Sequence, residues 1–348
     1  MPRHAGSRLL LLMFVLCAAS CASSEAPGAR TLDLWFIDVE GGQSTLIRTP
    51  SGQTMLVDAG FPGTGTFASS PGDPAVARDP QRILAVAKAA GITRIDVAFV
   101  THFHADHVGG FVELSKLLPI GTFIDHGGVT DDAERVAGTK AIQAAYAAVR
   151  EGAPHLEPRP GDRLPLDDVE ATVVASAGET LQSPLAGAAP GANGACGGTG
   201  LPAQETAENP RSTGFLLQFG RFRFLDVGDL TGEPLHRLAC PSDLLGPVDV
   251  YLVSHHGGLD AADPSLFAAI RPRVAVLNNG EDQAVRPRRW RRCATHGHGH
   301  LAVAPIGCEG RSEPGRAHAN LTNDTAHWIR ISAGEDGSFT VTRIRGRG

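Results

Sequence analysis

Residues 100–110 read VTHFHADHVGG, which gathers His102, His104, Asp106 and His107 into one short stretch. Immediately upstream, IDVAFV at 95–100 runs apolar as a buried strand does. A strand that ends in His-x-His-x-Asp-His delivers four ligand-type side chains to a single point. In extended backbone His102 and His104 project to the same side. Asp106 and His107 come past a bend and can face a second ion. Imidazole and carboxylate together suit zinc and similar borderline cations. A histidine-rich surface loop is the plain alternative. Such a loop seldom follows a buried strand and closes on Gly109-Gly110.

This motif resembles that of the metallo-β-lactamase superfamily of hydrolases, and further segments carry the likeness. DVEGGQSTLI (38–47) is similar to the opening of the hydrolase domain of ComEC-type DNA-uptake competence proteins. TMLVDAG (54–60) looks like the family's second strand and ends in Asp58, and FRFLDVGDLTG (222–232) supplies Asp229. DVYLVSHHGG (249–258) resembles the strand and HHG element of the ComEC-type subgroup. The resemblance covers most of residues 31–280. It implies an α+β fold, an αβ/βα four-layer sandwich of two sheets flanked by helices. One or two zinc ions, with manganese as the alternative, would sit at the sheet edges.

The implied roles follow residue by residue. His102 and His104 would hold one metal, Asp106 and His107 the second, and Asp229 would bridge. His255, directly off its strand, is the first choice for a further ligand. His256 would then be a supporting or proton-donating group, and Asp106 and His256 are the catalytic candidates. Asp58 would orient the histidine loop by hydrogen bonds, with a purely structural role as its alternative. One familiar ligand is missing: a histidine ahead of the strand before the bridging Asp. That stretch here is AENPRSTGFLLQFG (207–220), with Asn209 and Ser212 but no histidine. ComEC-like members also lack it. His155 is a candidate substitute from elsewhere in the chain, but it lies in a Pro-rich stretch and reads first as an ordinary loop histidine.

The start of the chain reads as a targeting segment. Arg3 and Arg8 precede an apolar run at 9–16, and Ala18-Ala19-Ser20-Cys21 offers small residues for cleavage. The run is too short to span a bilayer as a permanent helix. Cys21 also fits a bacterial lipoprotein box, so the expected product is exported, periplasmic or lipid-anchored at Cys21. Losing residues 1–20 removes two arginines and no acid, taking the net charge from −6 to −8. That balance gives no global attraction to nucleic acid or anionic membrane. Cys196, Cys240, Cys293 and Cys308 remain besides Cys21, with no CxxC spacing and room for up to two disulfides.

We read residues 21–30 as a short linker and 31–348 as one hydrolase domain, with insertions at about 178–209 and 281–320. Strands are expected at 32–39, 44–49, 54–58, 122–125, 169–176, 213–219, 222–226, 248–253 and 274–277. Helices are expected at 82–90, 110–118, 132–149, 234–239 and 265–270, and a closing hairpin at 326–332 and 338–344. Residues 62–80, rich in Gly, Pro and Ser, read as a surface loop near the site. Residues 178–209 hold almost no large apolar side chain and read as a mobile insertion, a passive loop first and a lid over the site as the alternative.

RPRRWRR (286–292) puts five arginines around Trp290 in an acidic chain. It is either a phosphate-binding patch or a solvated loop. His296, His298 and His300 form a Gly-spaced loop poorly preorganised for metal. The leading expectation is a metal-dependent hydrolase whose activated water attacks a phosphodiester or other phosphoryl centre. Partners are a small-molecule or phosphate-bearing substrate, with nucleic acid a further candidate. A hydrolase of carboxylic esters, lactones or β-lactams is the alternative, as is a non-catalytic binding protein retaining the fold.

Overall fold

Leu32, Leu34 and Phe36 of the first strand face one buried core while Trp35 and Ile37 face another. A sheet covered on both faces needs apolar residues at nearly every position, which is why LDLWFI shows no clean alternation. The polar exception is Asp33, on the Trp35 side, which Arg48 and Arg330 each approach to 2.8 Å. Both guanidinium groups also lie over the Trp35 ring.

The computed structural model describes residue 1 and residues 30–197, 208–258, 260–278, 301–305, 317–318 and 327–345. The leader beyond Met1, Cys21, the arginine run at 286–292, the HGHGH histidines, Cys293 and Cys308 lie outside the described residues.

The first eight-stranded sheet runs β16-β15-β1-β2-β3-β4-β5-β6. Its strands are β1 (Leu32–Ile37), β2 (Thr45–Arg48), β3 (Thr54–Val57), β4 (Ile95–Phe99), β5 (Ile120–Ile124), β6 (His155–Leu156), β15 (His327–Ala333) and β16 (Phe339–Arg345). The second runs β14-β13-β12-β11-β10-β9-β7-β8. It comprises β7 (Glu170–Ser176), β8 (Glu179–Thr180), β9 (Gly214–Phe219), β10 (Phe222–Asp226), β11 (Val250–Leu252), β12 (Val274–Asn278), β13 (Leu301–Pro305) and β14 (Ala317–His318).

Between the sheets lies a core of Leu34, Phe36, Val57, Phe99, Phe215, Leu217, Phe224 and Leu252, among others. Phe36 meets Phe224 and Phe99 meets Phe215 edge to face across it. The outer faces are covered by helices. Those of the first sheet are α1 (Arg78–Ala89), α2 (Ala105–Val108), α3 (Phe111–Leu114) and α4 (Thr139–Val149). Those of the second are α5 (Gly232–Arg237) and α6 (Pro264–Ile270). This is the expected αβ/βα sandwich.

Some boundaries differ from the sequence reading. α1 begins earlier, at Arg78, and its first turns are anchored where Arg78 and Arg82 donate to Glu40 and to the backbone carbonyls of Val39 and Asp38. The single helix expected at 132–149 is broken at Gly138, which adopts φ 88°. The first part of the presumed mobile insertion is fastened down. β8 pairs with β7, Leu181 is buried, and Asn193 bonds the carbonyls of Ala239 and Ser265. A disulfide joins Cys196 to Cys240.

Candidate metal centre

Parallel pairing concentrates chemistry at one edge. β3, β4 and β5 pair in parallel, as do β10, β11 and β12, so their carboxyl ends collect together. Asp58 follows β3, His102 to His107 follow β4, Asp229 follows β10, and His255 and His256 follow β11.

Past β4 the chain stays extended through His104 (φ −70°, ψ 150°), so His102 and His104 share a side. Phe103, between them, is buried in the helix-side core against Tyr146 and His126. One turn of helix, α2, then presents Asp106 and His107. Gly110 lets that turn approach the Asp58 turn, because a Cβ there would lie 2.1 Å from the Ala59 carbonyl oxygen. Gln43 of the opening DVEGGQ segment braces the same region. Its N–H donates to the Asp106 carbonyl, its carbonyl accepts from Gly60, and its amide reaches Asp226 ahead of Asp229.

Two groups of ligand-type atoms result, each within 4.8 Å: Asp106, His107, Asp229 and His256, and His102, His104 and Asp229. Asp229 belongs to both. Its Oδ2 lies 3.2 Å from His107 Nε2, 3.3 Å from His256 Nε2 and 3.8 Å from His102 Nε2. His102 Nε2 and His104 Nδ1 are 2.9 Å apart. Asp106 Oδ2 is 3.2 Å from His256 Nε2 and 3.7 Å from His107 Nε2.

The far nitrogens hold the rings in place. His107 Nδ1 lies 2.7 Å from Asp58 Oδ2, and Asp58 also accepts from the Thr101 N–H and hydroxyl. His256 Nδ1 donates to the Asn278 carbonyl at 3.0 Å. Both Nε2 atoms are thereby turned inward, 3.3 Å apart.

The donor set fits one or two divalent cations. Two inward imidazole nitrogens and two carboxylates converge in a buried space, and Asp106 Oδ1 and Asp229 Oδ1 have no hydrogen-bond partner among the described residues. The electrostatics agree. Burial works against a charged His256, but Asp229 and Asp106 raise its pKa to about 9. Burial likewise opposes protonation of His107, and Asp229, Asp106 and Asp58 raise it well above the usual range. Burial, with His107 and His104 nearby, pushes His102 well below it. Asp229 keeps its charge despite burial, held low by His107, His256 and His255.

His256, expected to be the supporting residue, lies within the four-residue group, and His255, expected as ligand, does not. His255 is about a quarter exposed, with Nδ1 2.8 Å from Asp260 Oδ1 and Nε2 3.9 Å from Asp229 Oδ2. The reason is a left-handed backbone at both residues (φ 48° and 54°), which swings the second ring inward. His155 lies in neither group but in a separate, partly exposed one with Asp125 and Glu157. Its Nε2 meets Asp125 and its Nδ1 faces the Arg150 guanidinium, whose charge opposes a cation there. Gln43, Thr101, Glu208 and Asn278 surround the site without having been singled out as site residues from the sequence. No spacing rule marks them, although Gln43 lies inside the recognised opening segment.

Residues 37–200 match the model of the metallo-beta-lactamase superfamily. No curated protein matches the chain. Among solved structures, CmlA, a diiron beta-hydroxylase from Streptomyces venezuelae, is 16% identical, with 71% of this chain and 44% of that one covered and a TM-score of 0.39. A metallo-beta-lactamase from Cronobacter sakazakii, a HARLDQ motif mutant, is 15% identical, with 63% and 74% covered and a TM-score of 0.36. A putative metallo-beta-lactamase from Thermotoga maritima is 14% identical, with 57% and 80% covered and a TM-score of 0.33. The chain thus spans less than half the length of the hydroxylase.

Proposed function

We propose that this chain, which carries a metallo-beta-lactamase superfamily domain, is an exported metal-dependent hydrolase of phosphodiester or other phosphoryl substrates. The observation that supports hydrolysis is the sharing of Asp229 between two converging groups of buried ligands. Bound cations supply an acidified water and polarise the oxygen under attack. His102, His104 and Asp229 would hold one, and Asp106, His107, Asp229 and His256 the other. Asp58 and the Asn278 carbonyl keep the His107 and His256 nitrogens aimed inward. His255, at the mouth and backed by Asp260, takes the proton-donating role that the sequence reading had given His256.

Phosphoryl substrates are favoured by the ComEC-type segments and by the arginine run at 286–292, whose forks suit phosphate oxygens. Export is supported by the basic and apolar start of the chain and by the Cys196–Cys240 bond, which suits an oxidising compartment. The test is a substrate panel on the purified mature chain loaded with zinc or manganese. Bis-p-nitrophenyl phosphate should be turned over faster than a phosphomonoester, a lactone or a cephalosporin. Faster turnover of the lactone or the cephalosporin would overturn the phosphoryl assignment.

A further inference from the structure

The two ligand groups are unequal. The Asp106 side has two imidazoles and two carboxylates, whereas the His102 side has two imidazoles and only the shared Asp229. A cation there has three protein donors among the described residues, one fewer than on the Asp106 side, and the sequence offers no histidine between 207 and 220 to provide a fourth.

Glu208 reaches the backbone of the histidine loop from the adjoining segment, outside the 4.8 Å group itself. It directly precedes the short turn at Asn209–Arg211, and the chain just beyond is tied to the histidine loop by the Thr213 N–H donating to the Thr101 carbonyl. The Glu208 carboxylate is fully buried. Its Oε2 accepts from the N–H of Phe103, the residue between His102 and His104, at 3.3 Å and meets His126 Nε2 at 3.1 Å. Its Oε1 has no hydrogen-bond partner among the described residues, and neither does His104 Nε2. A carboxylate taken wholly out of water with one oxygen unused is costly unless something cationic answers it.

We propose that Glu208 supplies the missing donor on the His102–His104 side, replacing the absent histidine with a carboxylate. This rests on the metal-site reading above. It carries a consequence for the ion. Two imidazoles with two carboxylates form a harder, oxygen-richer set than three imidazoles, which moves the preference from zinc(II) toward manganese(II) or iron(II).

The experiment uses the full mature chain, stripped with chelator and titrated separately with manganese(II) and zinc(II). Bound metal is counted by elemental analysis, and free manganese is followed by electron paramagnetic resonance. The parent should take up two ions. Glu208→Gln keeps the volume and an acceptor for the Phe103 N–H, and should retain one ion, with manganese affinity on the lost side falling at least about tenfold. Glu208→His should restore a second zinc while leaving manganese weak, a reversal that a merely structural glutamate would not give. Glu208→Gln with the parent's stoichiometry and affinities overturns the ligand and leaves the metal centre standing. A parent that takes up no ion overturns both. If Glu208→Gln does not fold, Glu208→His decides alone: parent-like manganese affinity in that variant overturns the proposal.

Discussion

His107 Nδ1 and Asp58 Oδ2 are 2.7 Å apart, and the same carboxylate accepts from the Thr101 backbone and hydroxyl. Asp58 therefore sets the direction of a ring carried by α2, beyond a different strand. Asp58→Asn keeps an acceptor for the Thr101 N–H but removes the charge that fixes the ring. Metal affinity should fall about 10- to 100-fold, read by chelator competition. Unchanged affinity would reduce Asp58 to a fold-stabilising residue.

The histidine pair separates by metal content and rate. His256→Ala should lose metal, because its Nε2 faces both Asp106 and Asp229. His255→Ala should keep metal and lose turnover by about 10²- to 10⁴-fold, the usual scale for removing an acid–base group. Elemental analysis beside steady-state kinetics checks both. The opposite pattern returns the ligand role to His255.

Protons and cations compete for the same ring. With the His256 pKa at about 9, uptake of a divalent ion must expel a proton, so apparent affinity should climb as pH rises toward 9. The metal-free fold should behave in the opposite sense. A pKa raised on folding stabilises the protonated state, so this contribution is full below the ordinary value of 6.5 and is lost as pH rises through about 9. Melting curves of chelator-treated protein between pH 6 and 9.5 should decline, and a flat profile would contradict the assignment.

Removing the Cys196–Cys240 bond releases a chain separation of 44 residues. Loop-closure entropy for that length puts the loss at about 4 kcal/mol. Cys240→Ser should therefore lower the melting temperature under non-reducing conditions, and the parent should match it once reduced. Equal melting temperatures with and without reductant would show that the bond does not stabilise the fold.

Arg288, Arg289, Arg291 and Arg292 test the substrate. Replacing all four with Gln should raise KM for a phosphodiester at low salt, and the difference should shrink as salt rises, because screening weakens the parent's attraction. Unchanged kinetics at low salt would make the run a solvated loop.

Much of the frame is legible because burial writes itself into residue type. The largely apolar β1, β4 and β10 mark strands covered on both faces, and HFHADH follows such a strand at its open end. What escaped depends on backbone direction rather than composition. Whether His255 or His256 turns inward is decided by two left-handed residues that no period-2 rule foresees. Glu208 sits at the end of an Ala- and Gly-rich stretch, one position before Asn209, and looks like linker until the Phe103 N–H is found beside it. Gln43 and Asn278 act through distant partners, so local pattern holds no trace of what they brace.

His102, His104, Asp106 and His107 leave the first sheet, while Asp229 and His256 leave the second. Neither sheet owns a complete coordination sphere. A cation lodged there would rivet the open seam of the sandwich, and its departure would loosen that rim while the aromatic interior stayed shut. Metal depletion should therefore first appear as faster amide exchange at Thr101, Gly228 and Ser254, long before the melting of either sheet.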